Sequence, residues 1–176
     1  MPGAEFRERT VRTTVARQPQ TDGTAVAMNL ALHRLAATHQ YLSEAAIHRP
    51  RGWTYSGFRV LYMVWLFEPV QARDLARFAG VSRQTTSTVL GTLESAGLVD
   101  RRRGATADRR LVAVRLTDRG RELIESAIQE QNALERGWFA ALSRAEQAEF
   151  IAICDRIMAR MQPPGRGGSA VGSDQR

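Results

Sequence analysis

Residues 70–120 constrain this chain more than any other stretch. A short amphipathic helix pattern ends at Gly80-Val81, and a second helix pattern begins directly after Ser82. Two runs of strand character, 99–103 and 111–116, follow and enclose the Arg-rich segment 104–110. Two helices across a tight turn, followed by a basic hairpin, place one helix in the major groove of duplex DNA and the hairpin against a neighbouring groove. The sequence therefore predicts a DNA-reading unit.

The second helix of this unit carries a polar outer face. In helical projection Thr86, Val89, Leu90 and Leu93 point to the core. Together with the capping residue Ser82, the outward residues Arg83, Gln84, Thr85, Ser87, Thr88 and Thr92 are the DNA contacts predicted on this helix. Gln bonds adenine, Arg bonds guanine and a Thr methyl packs on thymine. The alternative is a solvated Ser/Thr face beside a tight turn, but the adjacent basic hairpin favours DNA.

The hairpin concentrates positive charge. The net charge is +7, and all 25 basic residues are Arg. The codon bias of a GC-rich genome explains the absence of Lys, but it does not explain why residues 99–121 hold eight Arg against three Asp. We predict that Arg101, Arg109 and Arg110 contact DNA and that Asp108 orients a neighbouring guanidinium. The alternative is a solvated charged turn, although such turns usually mix signs.

The rest of the chain predicts a helical frame. Residues 1–23 predict a flexible basic arm with one helical turn around 11–16, and residues 163–176 predict a disordered tail. Residues 24–50 predict one helix, with an apolar stripe formed by Met28, Leu32, Leu35, His39, Leu42 and Ala46. Residues 51–117 predict the DNA-binding domain, and residues 118–162 predict two further helices.

Capping residues predict where the helices begin and end. Thr54, Ser82 and Thr117 each precede a helix, and Gly97 closes a helix in the left-handed conformation. A capping box formed by Ser143 and Glu146 begins the last helix. The predicted fold is mainly α with a small β-wing. It combines a winged helix-turn-helix domain with a helical dimerisation domain built from both termini.

The predicted dimer depends on apolar stripes in the first and last two helices, which exceed what neighbouring helices of one chain cover. A monomeric core is the alternative interpretation. We favour a two-fold dimer, because two reading helices about 10 bp apart match a palindromic operator and give more specificity than one helix.

Several short segments resemble one known family. They are Leu75-Ala76, Val81-Ser82-Arg83, Leu90, Leu93-Glu94, Gly97-Leu98-Val99, Asp108-Arg109-Arg110 and Leu116-Thr117-Asp118-Arg119-Gly120. With these segments, residues 28–160 resemble the MarR family of winged-helix regulators. The resemblance implies that Arg110 enters the minor groove with Asp108 as its supporting acid. It also implies an intertwined dimer of the first and last two helices, and an aromatic or anionic effector at the domain junction.

The chain departs from that family at Thr88 and Thr92, where Arg or Lys is frequent. We therefore expect the salt dependence of DNA binding to fall more on the hairpin and the arm.

A candidate effector pocket follows from position along the chain. The predicted lining residues are His39, Trp53, Arg59, Tyr62 and Met63, which suit an aromatic or carboxylate ligand. The alternative for His39 is a hydrogen-bonded side chain inside a core or interface. The three His residues are spaced six and nine apart, so no metal site is predicted.

Other function classes find little support in the sequence. No Ser-His-Asp order, paired-carboxylate cleft or Gly-rich phosphate loop emerges, so we predict no enzyme, no catalytic residue and no cofactor. The longest apolar run, residues 60–67, is far short of the roughly 20 residues that span a membrane. We therefore expect a cytoplasmic homodimeric repressor released by a ligand. The alternative is a constitutive or architectural DNA-binding factor without an effector.

Overall fold

The computed structural model describes residues 3–103 and 112–161, apart from the side chains of Arg102, Arg103 and Val112. The chain divides into two compact units, residues 1–132 and 133–176. The described helices are α1 Gly3–Arg17, α2 Gly23–Ser43, α3 Tyr55–Phe67, α4 Ala72–Ala79, α5 Arg83–Ser95, α6 Asp118–Phe139 and α7 Arg144–Met161. The described strands are β1 Val70–Gln71, β2 Val99–Arg103 and β3 Val112–Leu116. This element order confirms the predicted mainly α class with a small β-wing.

The wing is an antiparallel sheet in the order β1-β3-β2. Strands β2 and β3 pair over five residues, from Val99 opposite Leu116 to Arg103 opposite Val112. Strand β1 adds Val70 opposite Val114 on the other side of β3. The sequence does not predict β1, because two residues are too few to show a period of two.

The predicted helix starts are confirmed. The Thr54 hydroxyl accepts from the Gly57 amide at 3.0 Å, and the Thr117 hydroxyl accepts from the Gly120 amide at 3.0 Å. In the second unit, the Ser143 amide donates to the Glu146 carboxylate at 2.8 Å, which completes the capping box. These bonds satisfy amides that a helix start leaves without an intrahelical partner.

The predicted flexible arm is wrong, because Gly3–Arg17 forms a helix of 15 residues. Val11 and Val15 lie one turn apart and both approach the start of α2. Their methyl groups lie 3.2 and 3.3 Å from the position that a Cβ would take at Gly23. The contact with α2 therefore stabilises a helix that the polar composition of residues 1–23 does not predict on its own.

The apolar stripe predicted for residues 24–50 changes phase near its end. Residues Glu44–His48 form a π-helical turn, and Arg49–Arg51 form a 3-10 turn. A π-helical turn contains more residues than an α-helical turn. The side chains after it are therefore rotated about the helix axis relative to those before it. Ile47 and His48 are buried in this turn, although the stripe includes neither of them, whereas the stripe residues Met28, Leu32, Leu35, Leu42 and Ala46 are exposed in the single chain.

The core of the first unit lies between the helices and the wing sheet. Its fully buried side chains include Val60, Leu61, Leu75, Leu90, Val114 and Ile124. In contrast, several apolar residues of α2 and α7 are exposed in the single chain. Among the helices described for residues 3–103 and 112–161, none is long and apolar enough to cross a membrane.

Among the glycines in the described part of the chain, Gly120 has the least space for a Cβ. A Cβ at Gly120 would lie 2.0 Å from the Leu98 carbonyl oxygen. That oxygen also accepts from the Thr117 amide at 3.1 Å. The first turn of α6 therefore sits directly on the backbone that joins α5 to the wing.

We predict that Gly120→Ala lowers the free energy of unfolding by about 1–3 kcal/mol, because backbone atoms must shift to admit one methyl group. Urea denaturation of the purified chain measures this change. The matched control is Gly91→Ala within α5, where nothing lies within 4 Å of the added Cβ. The control should leave stability unchanged or raise it by up to about 1 kcal/mol. Equal stability of Gly120→Ala and the wild type would contradict the prediction.

Candidate nucleic-acid interface

A left-handed glycine sets the angle between α4 and α5. Gly80 ends α4 with φ of 63°, a conformation that L side chains rarely adopt. The following amide of Val81 donates to the Ala76 carbonyl at 3.1 Å. A Cβ at Gly80 would also lie 2.8 Å from Nη2 of Arg59. The turn is therefore tight, and the Arg59 guanidinium packs against it from α3.

Several hydroxyls at the start of α5 are engaged by the helix itself. The Ser82 hydroxyl accepts from the Thr85 amide at 3.0 Å and lies 2.7 Å from the Thr85 hydroxyl. The buried Thr86 hydroxyl donates to the Ser82 carbonyl at 3.0 Å. The predicted cap at Ser82 is thus confirmed, and these groups hold the helix start in a fixed geometry.

The outward face of α5 follows the helical projection. Thr86, Leu90 and Leu93 are buried, and Val89 is half-buried. Thr85 is also half-buried, whereas the other outward residues are exposed, namely Arg83, Gln84, Ser87, Thr88 and Thr92. The Thr92 hydroxyl donates to the Thr88 carbonyl at 3.2 Å. The free side chains nearest the start of α5 are therefore one Arg, one Gln and one Ser.

The wing begins directly beyond α5. Gly97 has φ of 68° and closes the helix as predicted, and the Leu98 amide donates to the Leu93 carbonyl at 2.9 Å. On β2, Arg101 is half-buried and its Nε lies 3.1 Å from the Glu94 carboxylate. This ion pair joins the wing to the last turn of α5. Asp108, Arg109 and Arg110 lie outside the described residues.

Glu68 links strand β3 to helix α6 on the other side of the wing. The sequence did not predict this role. Its carboxylate accepts from the Leu116 amide at 2.8 Å and forms an ion pair with Arg121. The hydrogen bond and the charge of Glu68 raise the pKa of the Arg121 guanidinium. A carboxylate just before the helix-stopping Pro69 gives no sequence signal for partners 48 and 53 residues away.

Two of the five predicted effector residues meet at the Tyr55 ring. His39 and Arg59 both approach the Tyr55 ring, with the His39 ring centroid at 6.2 Å and the guanidinium carbon of Arg59 at 5.9 Å. Tyr62 stacks on Phe58, with ring centroids 5.9 Å apart. Met63 is half-buried, and Trp53 belongs to the buried core. The structure therefore brings together His39 and Arg59 through Tyr55, a residue that the sequence analysis did not single out.

His48 lies beside this group and is fully buried. Its ring stacks on Phe58 with centroids 4.4 Å apart and lies 5.7 Å from the Tyr55 ring. Both ring nitrogens are shielded from solvent, and the Gln131 side chain approaches the ring. The stripe missed His48 because the π-helical turn shifts the helix phase just before it.

Helix α6 is tied to the same junction by polar contacts. The Gln131 amide donates to the buried Ser43 hydroxyl at 2.9 Å. Arg51 donates to the Ile47 carbonyl at 2.9 Å and to the Glu130 carboxylate at 2.5 Å. The Arg51 hydrogen bond lowers the pKa of Glu130. The end of α2, the turns after it and α6 are therefore one hydrogen-bonded assembly around His48.

We predict that His48 makes the protein less stable in mild acid. Burial lowers the pKa of His48 below its ordinary value, while Glu44 and Gln131 act in the opposite direction and Arg51 and His39 reinforce the shift. The unfolded chain then binds this proton more readily than the folded chain. The free energy of unfolding should therefore fall as pH drops from about 6.5 towards 5.

Urea denaturation across this pH range tests the prediction, with His48→Phe as the variant. His48→Phe should show a weaker pH dependence than the wild type, because it removes the buried imidazole. His33→Gln, at an exposed position of α2, is the matched control and should retain the wild-type slope. Identical slopes for His48→Phe and the wild type would show that His48 does not contribute.

Comparison with known proteins places these features in a family. The sequence model described as "MarR family" matches residues 52–111, which include α3, α4, α5 and β2. The uncharacterized HTH-type transcriptional regulator YwaE of Bacillus subtilis is 30% identical over 123 residues, covering 70% of this chain and 71% of YwaE. The HTH-type transcriptional repressor Rv2887 of Mycobacterium tuberculosis is 33% identical over 126 residues, covering 72% of this chain and 89% of Rv2887.

Solved structures agree with the sequence relatives. The crystal structure of Rv2887 in complex with salicylic acid has a TM-score of 0.58 and 31% identity, and the likeness covers 73% of this chain and 94% of that one. The transcriptional repressor CouR, solved on a 23-mer DNA duplex, has a TM-score of 0.63 at 24% identity, covering 74% of this chain and 91% of CouR. The chain is a transcriptional regulator and belongs to the MarR family.

Proposed function

We propose that this regulator is a homodimeric repressor that reads a palindromic operator with α5 and is released by a small aromatic or anionic ligand. The observation that carries the proposal is the exposed face of α5, where Arg83, Gln84 and Ser87 stand free beside a wing strand rich in Arg. Two relatives support it. CouR is a repressor solved on duplex DNA, and Rv2887 is a repressor solved with salicylic acid.

The reading surface divides into groups with different roles. Gln84 and Arg83 are proposed to bond base edges, and Ser87 and Thr88 to pack along the groove. Ser82 positions the helix start, since its hydroxyl is already engaged with Thr85. The segment 108–110, with Arg110 foremost, is proposed to supply the phosphate and minor-groove contacts.

The proposed dimer uses the helices of residues 24–50 and 118–162. In α2, Met28, Leu32 and Leu35 are each more than half exposed in the single chain, and in α7 the same holds for Ile151 and Met161. Apolar stripes of this extent are costly to leave in water, so a second copy is the proposed cover. A two-fold dimer presents two copies of α5 to the two halves of a palindrome.

The effector mechanism that we propose runs through Arg59. Its guanidinium lies against the Tyr55 ring and also against the Gly80 turn that sets the angle of α5. No described residue in 3–103 or 112–161 forms an ion pair with it. A carboxylate held near Tyr55 and His39 would draw this cation towards itself and change its contact with the turn. A ligand that binds better to that arrangement lowers operator affinity.

We predict that Gln84→Ala weakens operator binding by about 5- to 150-fold without changing the salt slope, because it removes a base contact. Arg110→Ala should lower the slope of log affinity against log salt by about 1. A duplex selected from a random library provides the operator, and fluorescence anisotropy at several salt concentrations gives both quantities. Sedimentation of the complex should show two chains per duplex.

The matched controls for these variants are Gln20→Ala and Arg73→Ala, both at exposed positions outside α5 and outside strands β1, β2 and β3. Both should bind like the wild type. Wild-type affinity for Gln84→Ala on every selected duplex would contradict base reading by α5. An unchanged salt slope for Arg110→Ala would contradict the role of the hairpin.

We predict that salicylate releases the operator from the wild type and that Arg59→Gln reduces this release at least about fivefold, the lower end of ordinary allosteric coupling. Release by salicylate is expressed relative to the ligand-free operator affinity of each protein, because Arg59→Gln also removes the contact with the Gly80 turn. Anisotropy titrations of the protein–duplex complex with salicylate measure the effect. If neither salicylate nor other aromatic acids release the wild type, the factor without an effector is the better description.

A further inference from the structure

A cleft lies between the first half of α1 and the middle of α2. Its volume is about 300 Å³, which is within the range of small-molecule sites. Phe6, Leu30 and Ala31 supply apolar walls, and Arg7, Arg34 and His33 supply polar groups. The cleft lies outside residues 52–111, which the family sequence model matches, and shares no residue with the proposed effector site.

The two guanidiniums of this cleft are not neutralised by the protein. Its lining contains no Asp or Glu. Within residues 3–103 and 112–161, no carboxylate lies within ion-pair distance of Arg7 or Arg34, whereas Arg49, Arg51 and Arg121 all have such partners. Two unpaired cations beside an apolar wall raise the local affinity for an anion.

Gly3 allows Arg34 to reach the cleft. The guanidinium carbon and Nε of Arg34 lie 3.0 Å from the position of a Cβ at Gly3. The Arg34 head group therefore lies across the first residue of α1, close to where Phe6 and Arg7 enter the cleft. A ligand that bonds Arg34 and Arg7 would contact both helices at once.

The lining selects for one chemical class. A guanidinium offers a planar fork that matches a carboxylate with two parallel hydrogen bonds. The half-exposed Phe6 ring and the Leu30 side chain suit a flat apolar body, which inorganic phosphate lacks. We propose that this cleft binds a small aromatic carboxylate and that the bound ligand fastens α1 to α2. The inference does not depend on operator reading or on the Arg59 mechanism.

Isothermal titration of the full chain with 2-naphthoate tests the site, together with hydrogen exchange of residues 3–17. We expect naphthoate to slow exchange in α1. Arg34→Gln should weaken binding at the site by about 10- to 100-fold, since it removes a charge-assisted hydrogen bond. Ala31→Phe should block the cleft without changing charge, and the exposed position of Ala31 admits the larger ring.

Arg9→Gln is the matched control, because Arg9 is an exposed residue of α1 that does not line this cleft. It should bind naphthoate like the wild type, and thermal melts should show that all variants are folded. If naphthoate still slows hydrogen exchange of α1 in both Arg34→Gln and Ala31→Phe, the proposal is wrong. It is also wrong if the heat of naphthoate binding is lost in Arg59→Gln and in no other variant. Equal binding of neutral 2-naphthamide, or equal protection by inorganic phosphate, would overturn the assigned ligand class.

Discussion

The backbone at Leu98 is the contact on which the geometry of the first unit depends. Its amide closes α5 by donating to the Leu93 carbonyl, and its carbonyl accepts from the Thr117 amide where β3 passes into α6. Gly120 adds the close approach of α6 to the same carbonyl. Helix α5, the wing and α6 therefore meet at one residue, so a tilt of any one of them strains its contacts with the other two. The Arg101–Glu94 and Glu68–Arg121 ion pairs reinforce this joint from its two sides.

Helix α6 connects the contacts at Leu98 to the turns that follow α2. Gln131 bonds Ser43, and Glu130 bonds Arg51, so the far part of α6 is held to the segment that buries His48. Arg59 reaches the reading unit by a second route, through the Gly80 turn. Two physically separate sets of contacts thus connect the Tyr55 region to α5. These continuous contacts permit coupling between a ligand near Tyr55 and the position of α5, but they do not create it. A ligand shifts a conformational equilibrium only by the difference between its affinities for the two states.

The sequence predicted the features that depend on neighbouring residues. It did not predict the features that depend on contacts between residues far apart in the chain. Caps at Thr54, Ser82, Thr117 and Ser143 and the left-handed Gly97 depend on a few adjacent positions, and all were confirmed. The helix at Gly3–Arg17 depends on α2, strand β1 depends on β3, and Glu68 depends on partners about 50 residues away. The π-helical turn also escaped prediction, because a regular period of 3.6 cannot anticipate one wide turn. For the candidate site, the outward face of α5 followed from periodicity, whereas Tyr55 and His48 required the packed structure.

The division of charge between α5 and the wing follows from the same contacts. Thr88 and Thr92 leave the middle of α5 uncharged, and the Thr92 hydroxyl is already bonded to its own helix. Arg101 is held by Glu94, so it neutralises a carboxylate before it can neutralise a phosphate. Counting Arg residues in the sequence therefore overstates how many phosphates the wing can contact. A helix with few charges gains little affinity from non-specific DNA, so the proposed function assigns discrimination between sequences to base contacts of Arg83 and Gln84. The proposed function assigns affinity for the DNA phosphates to a small number of guanidiniums beyond β2, so base reading and phosphate binding can be measured one at a time.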